Sequence, residues 1–380
     1  MRNSSRLLIR AGLFAATLAV VVIGMELAGQ LHHRVARARW RIAGPQGSPL
    51  MEPHPYLVAR PKADVRVERG GVVVTLTPAH TRWTGARDDD GERIRIACIG
   101  GSTTFGVLVD DEDTWPALLQ QQLGDEVAVR NYGVPGYSTA EHVIQLALIV
   151  NEWRPHIAVF YVGWNDLRSY HDPFAVPDYY GHGMGQWGVL ELVPPGARHL
   201  RPALMERSGI VWIAERLRNL AGIEPSEPPL AVNDQARSDP DAEVDRLYRR
   251  NLATILSLAK AIDATPVFVP QQMNAAAFVA GTRARPWTPN VLDAAVPALM
   301  AHLNGILEAS CAAPCVFAAE VAGERYPTED FVDEGHFGRS GGAKFARALE
   351  RTLERGALPS ARARSERMRS VPVEVGEVDP

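Results

Sequence analysis

The stretch Ile94-Arg95-Ile96-Ala97-Cys98-Ile99-Gly100-Gly101-Ser102-Thr103-Thr104-Phe105-Gly106 decides how the rest of the chain is read. Ile94–Ile99 is mostly aliphatic and predicts a buried strand. Gly100 and Gly101 break that strand and let the backbone turn tightly. A serine at the carboxyl end of a parallel strand lies where open α/β sheets place their ligands. Other chemistries use such a turn. Gly101–Gly106 has the frame of a phosphate loop, but Val107 and Leu108 stand where that loop needs Lys and then Ser or Thr. A nucleophile elbow needs glycines two residues either side of the serine; Gly100 fits and Thr104 does not. A Ser/Thr-rich turn that caps a helix is the plain alternative, and residues further along must separate it from a nucleophile.

Outward from this stretch the pattern is strand, loop and helix, repeated. Thr114–Leu123 predicts a helix and Val127–Asn131 a second strand running into the turn Tyr132–Tyr137. Ser138 and Glu141 form a capping-box pattern for a helix reaching about Glu152. Pro155 stops it, and Ile157–Val162 is an unbroken apolar run, as in a buried parallel strand. Helices Asp241–Ile262, Asn290–Ser310 and Ser340–Arg355 alternate with strands Pro266–Val269 and Val316–Ala319. The alternation predicts a three-layer α/β/α domain, residues 93–355, on a mainly parallel five-stranded sheet. Residues 167–202 show no period and read as an insertion beside the active face. Its Phe174, Tyr179, Tyr180 and Trp187, with His171 and His182, suit stacking on sugar rings or covering an acyl chain, and equally suit packing the insertion onto the domain. A short helix, Gly209–Leu220, and a polar loop, Gly222–Asp241, are expected next.

The chain has 380 residues, a formal net charge of −4 and 46% hydrophobic residues, an ordinary globular composition that gives no reason to expect nucleic acid as a partner. Near the amino end, the apolar run Ala11–Met25 follows Arg2, Arg6 and Arg10. Counted from Leu7 to Leu31, the span approaches the roughly 17–25 residues that cross a bilayer. A cleaved signal peptide competes, but its small-residue cleavage site is poorly formed. The expectation is an uncleaved anchor within residues 1–33, with the folded domain periplasmic or extracellular. Residues 34–92 read as a stalk and a small β-rich lead-in, with a hairpin in Val65–Thr77. The tail 356–380, basic and then acidic, is expected to be disordered. Cys98 reads as a small buried hydrophobe. Cys311 and Cys315 fit a local bridge or two free thiols, and zinc is not expected.

Three further blocks carry chemistry. Asn131-Tyr132-Gly133 follows the second strand, and Gly163-Trp164-Asn165-Asp166 follows the third. Asp333-Glu334-Gly335-His336 precedes the last helix. With Ser102, these blocks resemble the SGNH (GDSL-type) esterase and lipase superfamily, whose marks are Ser, Gly, Asn and His in that order. The resemblance covers roughly Arg93–Arg355 and implies a flavodoxin-like sheet. One departure is Gly-Gly-Ser at the first block in place of Gly-Asp-Ser, which leaves the serine in place.

The roles follow from ordinary chemistry. A serine hydroxyl is a poor nucleophile until a base takes its proton. His336 suits that task, since an unperturbed imidazole titrates near ~6.5. Asp333, three residues earlier, can fix the ring tautomer and steady the imidazolium. Donors to the oxyanion are expected from the backbone N–H groups of Ser102 and Gly133 and the Asn165 amide. Taken singly, each residue has a plain reading: a loop histidine, a turn glycine, a capping Asn-Asp pair, a solvated aspartate. Their joint placement after successive strands favours catalysis. Asp166 is expected to orient the Asn165 loop, and His142, His156 and His171 to be surface or core residues. The expected activity is a cofactor-free, metal-free ester hydrolase acting through an acyl-enzyme on an O-acetylated envelope or exported polysaccharide, or on a lipid ester. An acyltransferase with the same triad and a non-catalytic polysaccharide-binding component are the rivals.

Overall fold

The structure is a computed structural model, and it describes residues 12–28, 48–54, 57–87, 93–172, 236–279 and 287–370, with residues 10, 31 and 217. Two compact units are present. In the first, residues 12–28 are helical, with apolar side chains such as Phe14 and Val20 exposed. Among the described residues no helix is long and apolar enough to cross a membrane.

The second unit is built on five parallel strands: β5 (Ile94–Gly100), β6 (Val127–Asn131), β7 (Ile157–Tyr161), β8 (Thr265–Val269) and β9 (Val316–Phe317). Their order, β6-β5-β7-β8-β9, makes β5 and β7 the neighbours between which the chain reverses its direction of winding. Ligands in such sheets bind outside the carboxyl ends of the strands at that reversal. Ser102 follows β5 and Asn165 follows β7, so the order places both there.

Alternation along each strand sends side chains to two cores. Ala97 and Ile99 of β5 and Ala158 and Phe160 of β7 face one layer; Ile96 and Cys98, with Val159 and Tyr161, face the other. All eight are fully buried. The first layer holds Thr139–Gln145 (α3), Ala242–Ala261 (α5) and Val296–Ser310 (α6). Helix α5 shows the local logic. The Asp241 carboxylate accepts from the amides of Glu243 (2.9 Å) and Val244 (3.2 Å), which caps the start. Val244, Leu247, Tyr248, Leu252, Ile255 and Ala259 recur at three or four residues and form the buried stripe. The second layer holds Trp115–Leu123 (α2) and Arg339–Arg355 (α8). Shorter helices are Ser102–Phe105 (α1), Trp164–Leu167 (α4) and Ala319–Gly323 (α7). The helix expected to reach Glu152 does so through a wider π-type turn at Leu146–Val150.

One expectation needs correction. The tail is not disordered from residue 356 onward, because Ala357–Ser370 forms a further helix, α9. Ala357, Leu358 and Ala361 are fully buried in the second core, and Arg364 donates to the His156 carbonyl (3.0 Å) and the Thr265 hydroxyl (2.9 Å). A stripe of small apolar residues seats the helix despite its charged average. The lead-in contains the hairpin placed within Val65–Thr77 and a second one before it. It forms two hairpins, β1 (Met51–His54) with β2 (Val58–Pro61) and β3 (Val65–Arg69) with β4 (Val72–Leu76). Arg82 then pairs antiparallel with Asn131 at the end of β6. Cys311 and Cys315 are disulfide-bonded. The helix expected at Gly209–Leu220 apart from Leu217, the loop from Gly222 as far as residue 235 and most of the insertion, including Phe174, Tyr179, Tyr180, His182 and Trp187, lie outside the described residues.

Candidate active site

Ser102 opens the one-turn helix α1 directly after β5. Its Oγ lies 2.8 Å from His336 Nε2, and His336 Nδ1 lies 2.7 Å from Asp333 Oδ2. A carboxylate can only accept, so Nδ1 carries the proton and Nε2 is left as the acceptor for the serine hydroxyl. Residues 234 positions apart in sequence thus form one hydrogen-bonded line.

The loop bearing Asp333 and His336 is held from several sides. Asp333 Oδ1 accepts from the amides of Gly335 and His336, both at 2.8 Å. Phe331 and Phe337 stack with centroids 4.9 Å apart and close the loop at its base. Asp330 behind them takes Lys344 Nζ (2.6 Å) and Ser340 Oγ (2.8 Å). Burial alone would raise the Asp333 pKa. The hydrogen bond and charge of His336, with the two amides, outweigh it and hold the carboxyl below its ordinary value. Asp333 is thereby kept ionised, as a partner to an imidazolium must be.

Asn165 sits in α4, is nearly buried, and gives one amide hydrogen to the Tyr137 carbonyl (2.8 Å). The amide lies over the serine turn, since a Cβ added at Gly101 would fall 2.7 Å from Asn165 Nδ2. A primary amide has two hydrogens, and the second has no protein acceptor among the described residues. Asp166 has the orienting place expected of it: it accepts from the Thr139 hydroxyl (2.5 Å) and amide (3.2 Å), tying α4 to the start of α3.

Gly133 requires correction. Its N–H donates to Asn131 Oδ1 (2.9 Å) and is not directed to a bound carbonyl. Asn131, fully buried, donates in turn to the Thr104 carbonyl (2.9 Å). A Cβ on residue 133 would lie 2.3 Å from the Phe105 amide nitrogen, so glycine is needed here for close packing beneath α1. The following turn, Val134–Tyr137, is closed by Tyr137 N–H to Val134 O (3.2 Å), with Gly136 at φ 86° in its third position. It places Gly136 beside the residue whose carbonyl holds Asn165.

Arg82 carried no expectation, and nothing in its Pro/Gly-rich surroundings marks it. Its side chain is fully buried and pairs with Asp111 at 3.2 Å. It donates to the carbonyls of Phe105 (2.8 Å), Val109 (2.6 Å) and Val73 (3.2 Å), and to that of Gly106. The loop leaving the serine helix is therefore pinned by the lead-in. His142 and His156 belong to the core, as expected; burial lowers both pKa values to about 4. His171 is tied by its backbone to Asp241.

Residues 98–223 match the GDSL-like Lipase/Acylhydrolase family model. A comparison with curated proteins gave no match. Among solved structures the chain is similar to TesA, at 16% identity and a TM-score of 0.38 over 69% of this chain and 98% of that one. It is similar to Axe2, an acetylxylan esterase from Geobacillus stearothermophilus, at 15% identity and 0.37 over 68% and 93%. It is also similar to a GDSL-like lipase from Bacteroides thetaiotaomicron, at 16% identity and 0.37 over 70% and 89%.

Proposed function

We propose that this chain, a GDSL-type hydrolase, cleaves carboxylic esters with Ser102 as nucleophile, His336 as base and Asp333 as its orienting partner. The hydrogen-bonded line Asp333–His336–Ser102 carries the reading. As Ser102 Oγ bonds to the ester carbonyl carbon, its proton passes to His336 Nε2 and the carbonyl oxygen takes the negative charge. The intermediate collapses, the carbon–alkoxy bond breaks, and His336 gives its proton to the departing alcohol. Water then repeats the sequence on the acyl-serine, releasing the carboxylic acid and restoring the hydroxyl.

The oxyanion needs donors in place before charge develops. We assign the free hydrogen of Asn165, the Ser102 N–H and the Gly136 N–H. The commitment of Gly133 to Asn131 supports the change from the nearer glycine.

The substrate class that fits this reading is an O-acylated envelope or exported polysaccharide, with a lipid ester as the second choice. The exposed apolar side chains of residues 12–28 favour an amino-terminal membrane anchor, although no described helix is long and apolar enough to span a bilayer; sedimentation of the full chain with membranes tests that part. For the chemistry, a fluorophosphonate probe should label Ser102, with loss of fluoride, and leave Ser102→Ala unlabelled; that variant should also lose p-nitrophenyl acetate hydrolysis. Persistence of full hydrolysis in Ser102→Ala would remove the proposal.

A further inference from the structure

Two open grooves meet beside the loop that follows Ser102. One, of about 450 Å³, runs between residues 83–85 and helix α2 and includes Trp83, Glu112, Gln121 and Arg339. The other, of about 430 Å³, lies against the β3–β4 hairpin and includes Arg66, Trp83 and Glu112. Trp83 and Glu112 line both, so the two grooves adjoin at the indole, and together they are treated as one channel. Arg339 ties the first groove to the catalytic loop. Arg339 is three residues past His336, and its Nε lies 3.3 Å from Asp113 Oδ1. Asp113 in turn shares a small cleft with Thr103 and His336.

The lining selects among ligands. Glu112, Gln121, Asp125, Arg66 and Arg339 are all exposed, and with Asp110 they offer acceptors and donors of both charges, carboxylates outnumbering guanidiniums. An alkyl chain laid here would strip water from these groups and return no hydrogen bonds, which is costly. A phosphate-rich polymer would meet the carboxylate of Glu112. A sugar chain satisfies both demands, since its hydroxyls pair with carboxylate, amide and guanidinium, and its C–H faces stack on a half-buried indole.

We propose that this channel binds a run of sugar units of an O-acylated glycan, with Trp83 as the stacking platform, and so presents the ester to Ser102. The proposal rests on the ester-hydrolase reading and names the substrate class of that site. The test compares the full-length protein with Trp83→Ala, Trp83→Phe and Glu112→Gln. The substrates are p-nitrophenyl acetate and, by acetate release, O-acetylated xylan, alginate and chitin oligosaccharides. Trp83→Ala should lower the ratio of kcat/KM on the preferred glycan to that on p-nitrophenyl acetate about tenfold, equivalent to roughly 1.4 kcal/mol. The loss should appear in KM, with Trp83→Phe in between and Glu112→Gln losing about threefold. Ser102→Ala should be retarded in a gel containing that glycan, and Trp83→Ala/Ser102→Ala should not. If small-ester hydrolysis is normal but no glycan is cleaved or retards the protein, the channel proposal is wrong and the esterase reading stands. An unchanged ratio in both Trp83→Ala and Glu112→Gln overturns it equally. If the wild type hydrolyses no ester yet is retarded by a glycan through Trp83, the channel stands and the esterase reading falls.

Discussion

Replacing Arg82 by Met tests whether the lead-in belongs to the catalytic unit. The substitution keeps the apolar stem that runs through the core and removes only the guanidinium. Asp111, with its side chain 8% exposed, then keeps a hydrogen bond from the Thr75 amide (2.9 Å) but loses its cation. The carbonyls of Phe105, Gly106, Val109 and Val73 lose a shared donor in the same step. Removing one partner of a buried ion pair costs about 3–5 kcal/mol, because the other charge is left uncompensated. The carbonyls can partly relax toward water, so the same range is expected for the whole substitution. That is a large share of the roughly 5–15 kcal/mol by which a domain is stable. Urea unfolding should show the loss as a lower midpoint at unchanged slope. Arg82→Lys should recover part of it, since one ammonium cannot reach carbonyls on both sides. The folded fraction of Arg82→Met should also react more slowly with the fluorophosphonate, because the loop leaving α1 is no longer fixed. A stability change under about 1 kcal/mol, with an unaltered labelling rate, would refute the reasoning.

Asn165→Ala should reduce kcat on a small ester by about 10²–10³ with KM nearly constant, as expected of a donor that acts as charge develops; a rise in KM at constant kcat would make Asn165 a ground-state contact. Gly133→Ala should destabilise the fold by about 1–3 kcal/mol through its clash beneath α1, read from thermal melts. Buried His142 stays neutral in the folded state down to about pH 4 while the unfolded chain takes up a proton near ~6.5. The unfolded state therefore binds more protons between those values, and stability should fall as pH drops through that window, by up to about 3 kcal/mol. His142→Gln should flatten this slope in urea titrations between pH 7 and 4.5; an identical slope would show that other groups set it.

How much of this was legible in the sequence depended on what kind of group was asked about. Ser102, Asn165, Asp333 and His336 carry side chains whose chemistry is distinctive; the first two follow strands that apolar runs announce, and the last two share the loop before α8. The sheet order then brings them to one edge. Gly133 was misread because an oxyanion donor of this kind is a backbone amide, whose direction is set by what lies across from it. Here that is the Asn131 side chain, and the sequence Asn-Tyr-Gly-Val-Pro-Gly does not say which glycine it engages. Arg82 looked like any loop arginine, for its partners lie on segments distant in sequence. Helix α9 was hidden by composition, as Arg and Glu dominate its average while Ala357, Leu358 and Ala361 face the core.

The position of α9 bears on how the domain is made. Ala357, Leu358 and Ala361 close the second core from beneath, and Arg364 supplies a hydrogen to the carbonyl just before β7. During synthesis the strands emerge long before this cover, so Val159, Tyr161 and Val267 remain partly open to solvent until α9 has been made. A nascent chain exposing such a sheet is prone to associate with its neighbours.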